Sequence, residues 1–355
     1  MNALNFFPFS GQNWSVYLAS FVLILSINIT KSQSLWTIQE NKMLNTDTSK
    51  LIFKSDSDFK QIYLLGEYHG VASNSKIEFF FINHLVKDYC VRSILFEGSV
   101  SDEYLINNYF YHGDSSFLDL LASEYPYNYS EYIEFIKKVK LLYDSLQESC
   151  RFKFIGVDII ENESGVYVKN LFQLMLKYDI YNKELKSKIE VCLKDSVTDL
   201  ENFRAIFLDY LINVDYNSAV IAVINSIMYW KENKNQVYKN RQYYLYKNIL
   251  NRRESFLGNL YGNFGYGHID LKQKCTAFML NNDTSFNYKI TSYYPYYHNC
   301  MSLPWIPIRR NQGYGKSHFR RLFKKTKPSN GIYYSEFNGQ KFIIHVGQIG
   351  MSELK

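Results

Sequence analysis

The chain has 355 residues, 46% of them hydrophobic and 21% charged, and a formal net charge of +6. That apolar content can bury a sizeable core and excludes an intrinsically disordered chain. The length allows one large domain or two small ones. The basicity is local, carried by Arg309, Arg310, Lys316, Arg320, Arg321, Lys324, Lys325 and Lys327 with no acid among them. A globally basic nucleic-acid binder is therefore excluded, and no zinc-finger, helix-turn-helix or RNA-binding signature accompanies the run.

At the amino end, Val16–Ile29 is an apolar stretch of 14 residues, short of the roughly 20 that a membrane span needs. Ser32 and Ser34 supply the small residues that a signal peptidase requires. Residues 1–34 thus read as a signal peptide, or as an uncleaved anchor since no Lys or Arg precedes the apolar stretch. The expectation is an exported chain, periplasmic or membrane-associated, starting near Leu35.

Strand and helix patterns then alternate. Gln61–Gly66, Arg92–Phe96, Phe152–Val157 and Tyr261–Tyr266 read as short buried strands. Between them, Lys76–Asp88 has Ile77, Phe80, Phe81 and Leu85 at helical spacing. Ser130 is an N-cap for a helix running to about Glu148. Ser164–Tyr178, Lys183–Lys194, Thr198–Val214, Asn217–Glu232 and Asn240–Leu260 are also helical in pattern. The fold class expected is α/β: a mostly parallel central sheet with helices on both faces. A large helical insertion falls at about 164–258 of a single domain, 35–355. Tyr288–Tyr297 and Gly331–Val346 read as strands of a C-terminal β-edge segment. The stretch at about 304–328 reads as a basic loop, because Gly313 and Gly315 interrupt it. It is a surface for anionic contact through Arg309–Lys327, or simply a solvated loop.

Of the five cysteines, Cys90 and Cys150 each precede a strand-like run and form a candidate disulfide in an exported protein. Cys275 and Cys300 are a second candidate pair, and Cys192 is left over. Five buried free thiols are the alternative. The absence of CxxC argues against a structural zinc or a thioredoxin motif.

The chemistry gathers at strand ends. Glu67 and His69 follow the first strand, Glu97 the second, Asp158 the third and His268 the fourth. A parallel sheet brings all its carboxyl ends to one edge, so these five side chains are expected to share a crevice. A histidine beside a carboxylate is a general base suited to neutral pH, and a second histidine can serve an oxyanion or leaving group. Arg253 could bind an anionic substrate group or pair with Asp158. Glu67, His69, Glu97 and His268 would also suit a divalent metal, although nothing like HExxH is present. Tyr68, His69 or His298 could be haem ligands. No cofactor follows from the motifs themselves.

The ordered set "LLGEYHGVASN", "ILFEG", "FIGVD" and "GNFGYGH" resembles the erythromycin esterase-like superfamily, which takes in ChaN-like haem-binding lipoproteins and TraB-type proteases. The resemblance covers about residues 60–290. The stretch 101–114 is similar to exported, Bacteroidetes-type members. The resemblance implies a hydrolase without a nucleophilic serine. His69 would be general base, Glu67 and Glu97 orienting acids, and His268 the second histidine. Asp158 completes the catalytic set, and Asn74 and Arg253 would contact a small-molecule substrate. Glu67 and His69 stand two residues apart, the shorter ChaN-like spacing, which argues against macrolide specificity.

Overall fold

The computed structural model describes residues 59–178 except 72, 124–128 and 163, residues 219–302 and residues 331–347. It also describes residues 36–38, 52–53, 306–307, 312–313 and 316–326, and isolated residues between 183 and 190. The expected leader 1–34, the helical pattern Thr198–Val214, most of Lys183–Lys194, Cys192, Arg309, Arg310 and Lys327 lie outside the described residues.

In chain order the elements are β1 (Trp36–Ile38), β2 (Gln61–Glu67), α1 (Ser73–Asp88), β3 (Val91–Phe96), α2 (Val100–His112), α3 (Ser116–Ser123) and α4 (Tyr129–Ser145). There follow β4 (Lys153–Gly156), α5 (Gly165–Tyr178), α6 (Ala219–Asn251), β5 (Asn259–Gly265), α7 (Thr276–Asn281) and β6 (Lys289–His298). The chain continues through β7 (Met301–Ser302), β8 (Ile306–Pro307), β9 (Gln312–Gly313), α8 (Lys316–Thr326), β10 (Gly331–Phe337) and β11 (Gln340–Val346).

The fold is mixed α/β, as the alternation implies. The main sheet has the order β1-β10-β11-β6-β2-β5-β3-β4, with β9 added at the end of β6. From β11 to β4 every neighbouring pair is parallel. β10 and β11 form the antiparallel C-terminal hairpin. It turns at Asn338 and Gly339, whose φ values of 51° and 73° are those an Asn-Gly hairpin turn needs.

Alternate residues of the parallel strands face two separate cores. Tyr63 and Leu65 of β2, Ile94 of β3 and Tyr261 of β5 pack with α1 to α5. Ile62 and Leu64, Leu95, and Leu260 and Phe264 pack on the other face with α6, α7 and α8. This period of two explains the continuous apolar runs, since both faces are covered. β5 arrives last of the four motif-bearing strands, yet it lies between β2 and β3. The chain leaves a gap when it crosses from β2 to β3, and the strand after the helical insertion fills it.

Four expectations need correction. The stretch 304–328 is not all loop, because α8 forms after Gly315. Phe319 and Phe323 sit one turn apart and are buried. Phe319 packs on Tyr296 and Phe342, and Phe323 on Tyr296. The dense basic residues mask this apolar spacing in the sequence. The separate helices at Asn217–Glu232 and Asn240–Leu260 are one helix, α6, kinked at Asn240 and ending at Asn251. α2, not foreseen as a helix, is set by a capping box between Ser99 and Asp102 and by Gly113 in the left-handed region. Finally, Cys90, Cys150, Cys275 and Cys300 are all free thiols. Cys90 occupies a left-handed turn (φ 53°) whose carbonyl accepts from the Asn259 N–H of β5, whereas Cys150 ends a 3-10 turn before β4. Cys275 and Cys300 belong to different cores.

Removing the Phe319 ring should therefore cost what a buried core aromatic costs. Phe319→Ala is expected to lower unfolding stability by about 3–5 kcal/mol in denaturant titration. Arg321→Ala on the exposed face should change it by less than about 0.5 kcal/mol. Equal small effects would return this segment to a surface loop.

Candidate active site

The carboxyl ends of β2, β3 and β5 deliver the central groups. Glu67 ends β2 and His69 follows in the turn. Glu97 follows β3, and His268 lies in the 3-10 turn Tyr266–His268 that follows β5. Because β5 lies between β2 and β3, residues some 200 positions apart meet at one carboxylate. His268 Nε2 lies 2.9 Å from Glu97 Oε1. His69 Nε2 lies 3.5 Å from Glu97 Oε2. His69 Nδ1 bonds Glu67 Oε1 at 2.8 Å, and the Asn263 side-chain amide donates to Glu67 Oε2 at 3.0 Å.

Glu97 is almost fully buried, with 7% of its side chain exposed. Burial works to raise its carboxyl, but the hydrogen bond and charge of His268, the charge of His69 and the Gly265 N–H outweigh it and hold the group at about 2. The Gly265 N–H donates to Oε2 at 2.6 Å. Arg241 Nη2 donates to Glu97 Oε1 at 3.3 Å and to Asp158 Oδ2 at 2.6 Å. Asp158 is thus held by Arg241 of α6.

The donor and acceptor roles follow from the partners. Gln242 Oε1 accepts from the Thr276 N–H at 3.0 Å, and its Nε2 donates to the Gly267 carbonyl. The amide orientation is fixed by those backbone groups. His268 Nδ1, 2.9 Å from Gln242 Oε1, is therefore a donor, and its Nε2 also donates, to Glu97 Oε1. His69 differs. Its Nδ1 donates to the Glu67 carboxylate, which leaves Nε2 as the basic nitrogen. The Glu67 hydrogen bond is the main cause that raises the His69 pKa above 6.5; burial and Arg241 oppose it, and the charges of Glu67 and Glu97 assist.

A cavity of about 480 Å³ opens on this cluster, within the roughly 300–1,000 Å³ usual for small-molecule sites. Glu67, His69, Glu97, Asp158 and Arg241 line it, with Val71, Phe96, Leu121, Tyr132 and Ile160 as apolar wall. His69 stands at the opening, its side chain 61% exposed. His268 does not line the cavity but braces Glu97 from outside it. Two glycines are required by close approach. A Cβ on Gly265 would lie 2.9 Å from His69 Nε2, and one on Gly66 would lie 2.5 Å from Ile269 Cδ1.

The structure thus brings together Glu67, His69, Glu97, Asp158 and His268. Asn74 also lines the cavity, but its side chain is committed within the protein. Its Nδ2 donates to the Tyr68 carbonyl at 2.9 Å, and its Oδ1 accepts from Tyr297 Oη at 3.0 Å. Arg253 does not join the cluster. It is exposed in the 3-10 turn leading into the amino end of β5 and does not line the cavity. Arg241 takes the place expected for it. Sequence reasoning also missed Gln242, Asn263 and Glu78. A signal was present in α6 and the residue after it: Arg241, Leu245, Asn248 and Arg252 recur at helical spacing. Their polar members bond Asp158, the Val157 carbonyl and Glu103.

Among the described residues, no group of three or more His, Cys, Asp or Glu side chains is arranged to hold a metal ion. The cluster fits a divalent cation poorly, since the Arg241 guanidinium and both imidazoles already surround Glu97. Haem fits no better. His298 lies on β6 outside the cavity, edge-on to Phe323, and Tyr68 stacks on Tyr266. No serine hydroxyl bonds His69 or His268 among the described residues. Ser73 does pair with His345 at 2.8 Å, but both are buried.

No protein-family model matches the sequence, and no curated protein matches it. Solved structures do match in fold. One is a succinoglycan biosynthesis protein, 16% identical over 96% of this chain and 98% of that one, with a TM-score of 0.54. A protein from Bacillus cereus is 12% identical over 96% and 98%, at 0.53. An erythromycin esterase, EreC, a histidine-to-asparagine variant in its open conformation, is 11% identical over 90% and 99%, at 0.55. The chain therefore shares its fold with these structures, the esterase among them.

Linkage makes the Glu67–His69 bond measurable. A raised histidine pKa contributes stability fully present below 6.5 and lost as pH rises through the raised value. Glu67→Gln should remove the larger part of that contribution, leaving the part that Glu97 supplies. The stability gap between wild type and variant, read by denaturant midpoint, is expected to be widest near about pH 6 and to narrow above neutrality. A gap independent of pH would contradict the assignment.

Proposed function

We propose that the protein is a hydrolase of the erythromycin esterase-like superfamily, using His69 to activate water against an ester-like or amide-like bond of a small molecule. One observation carries the reading. His69 is fixed through Nδ1 by Glu67, while its Nε2 lies within reach of the Glu97 carboxylate on a cavity wall. A water in the cavity beside this pair, hydrogen-bonded to both Nε2 and Glu97, would give one proton to His69 and be oriented through the other. Its oxygen then bonds the substrate carbonyl carbon. The charge that develops on the carbonyl oxygen falls beside the Arg241 guanidinium. On collapse, the bond to the leaving group breaks, and that group takes the proton from His69. His268 keeps Glu97 ionised and aimed, and so acts on the water through Glu97.

This reading uses no metal. The alternatives, a ChaN-like haem or metal binder without catalysis and a metal-dependent TraB-type protease, rest on the resemblance and on the donor chemistry of the same histidines, carboxylates and tyrosine. Export is part of the proposal, supported by Val16–Ile29 and the small residues after it. The stretch 101–114 supports an exported, Bacteroidetes-type member; most of it is α2, and it includes the Gly113 cap. An anionic surface contact is supported by the exposed Arg320 and Arg321 of α8. No specific nucleic-acid binding is proposed.

A panel of ester and amide substrates, assayed on purified protein in the presence of chelator, tests the activity. His69→Ala should lose about 10²–10⁴-fold in kcat/KM. The wild-type profile should rise with pH through the raised His69 pKa, because only the neutral imidazole accepts a proton. Turnover unaffected by His69→Ala and His268→Ala would sink the proposal, and turnover abolished by chelator would favour the metal-dependent reading.

A further inference from the structure

The backbone of Tyr68, the residue between Glu67 and His69, is held on both sides, through the peptide before it and the peptide after it. Its N–H donates to the Tyr297 hydroxyl at 2.9 Å, and its carbonyl accepts from Asn74 Nδ2 at 2.9 Å. Tyr297 Oη in turn donates to Asn74 Oδ1 at 3.0 Å, which closes a ring of three hydrogen bonds. Tyr297 is 1% exposed. Its ring stacks on His345, directly opposite it in the β6–β11 register, at 4.6 Å and 25°. His345 Nδ1 bonds the hydroxyl of Ser73, the residue before Asn74. Burial lowers the His345 pKa to about 3, so its ring is neutral beneath Tyr297. The C-terminal strands therefore reach the turn after β2 through buried, matched groups.

We propose that Tyr297 and Asn74, backed by His345, are positioning residues that set the Glu67–His69 pair by locking the Tyr68 backbone. Neither is proposed to touch the reacting atoms. Glu67 and His69 flank the clamped residue, so rotation at Tyr68 would swing the two side chains apart. A buried Tyr–Asn pair adds no core-packing advantage over apolar residues of the same shape, and both of its members point at this one residue. The role of this clamp in catalysis rests on the hydrolase reading, but its effect on His69 can be measured without it.

The test is a histidine NMR titration of His69, its resonance assigned with His69→Gln, in wild type, Tyr297→Phe and Tyr293→Phe. The groups facing His69 are Glu67, Glu97 and Arg241, and none of these variants alters them. Tyr293 is the internal control. It is a buried tyrosine of the same strand whose hydroxyl bonds the Ile52 carbonyl, away from the turn. In wild type and Tyr293→Phe the midpoint should lie above 6.5, and in Tyr297→Phe it should fall measurably below the wild-type midpoint. Should Tyr297→Phe fold poorly, Asn74→Ala is expected to give the same shift. On a hydrolysed substrate, kcat should fall about 10²-fold with KM little changed. A titration in Tyr297→Phe or Asn74→Ala equal to wild type overturns the clamp, as does an equal shift in Tyr293→Phe. If no substrate is turned over by any of these proteins, the hydrolase reading fails while the titration still decides the clamp.

Discussion

A buried, ionised carboxylate is the constraint from which this site is built. Removing an unpaired carboxylate from water costs several kcal/mol, so Glu97 can persist only if its surroundings compensate. They do so in pairs. Oε1 faces His268 Nε2 and Arg241 Nη2, and Oε2 faces the Gly265 N–H and His69 Nε2. The partners come from three parts of the chain: the turn after β2, α6, and the end of β5 with the turn that follows it. β5 must lie between β2 and β3 for Gly265 and His69 to meet at one oxygen. Residue 265 must lack a side chain, because a Cβ there would enter the space of His69 and Glu97. α6 must lie across the strand ends to supply Arg241 and Gln242, which directly follow its kink at Asn240.

The same arrangement separates the duties of two histidines that look equivalent in sequence. His268 is 12% exposed, fixed by Gln242 on one side and Glu97 on the other. His69 is open to the cavity, hydrogen-bonded to Glu67 through Nδ1, with Nε2 3.5 Å from Glu97. One imidazole maintains a charge, and the other is able to move a proton. Glu78 extends the polar floor. It is buried on the cavity wall; burial, above all, and the charge of Glu67 push its carboxyl well up, opposed by a hydrogen bond from Asn263. Asn263 also donates to Glu67, so the carboxylate that orients His69 shares this amide with Glu78.

Much of this was legible from residue order. The apolar runs ending in Glu67, Glu97, Asp158 and His268 are strand ends, and parallel strands share an edge. That argument needs only the period-two faces and the intervening helices. The placement of β5 between β2 and β3 was not legible, because strand order depends on which gap the chain leaves. Arg241 was passed over for Arg253 because nearness in sequence to β5 suggested nearness to the site. Helical geometry gives the opposite result: Arg253 lies past the end of α6, whereas Arg241 lies three turns back, over the carboxyl edge. Tyr297 looked like packing, and its hydroxyl chemistry became visible only with Tyr68 and Asn74 beside it.

The charge state of Glu97 tests the account most directly. The carboxyl carbon of Glu97, labelled with ¹³C and identified with Glu97→Gln, can be followed by NMR as pH falls. The account predicts that Glu97 remains ionised throughout the folded range, with a midpoint at about 2. A midpoint at or above the ordinary glutamate value of 4.5 would contradict it, since a neutral Glu97 could neither brace His268 nor orient a water for His69.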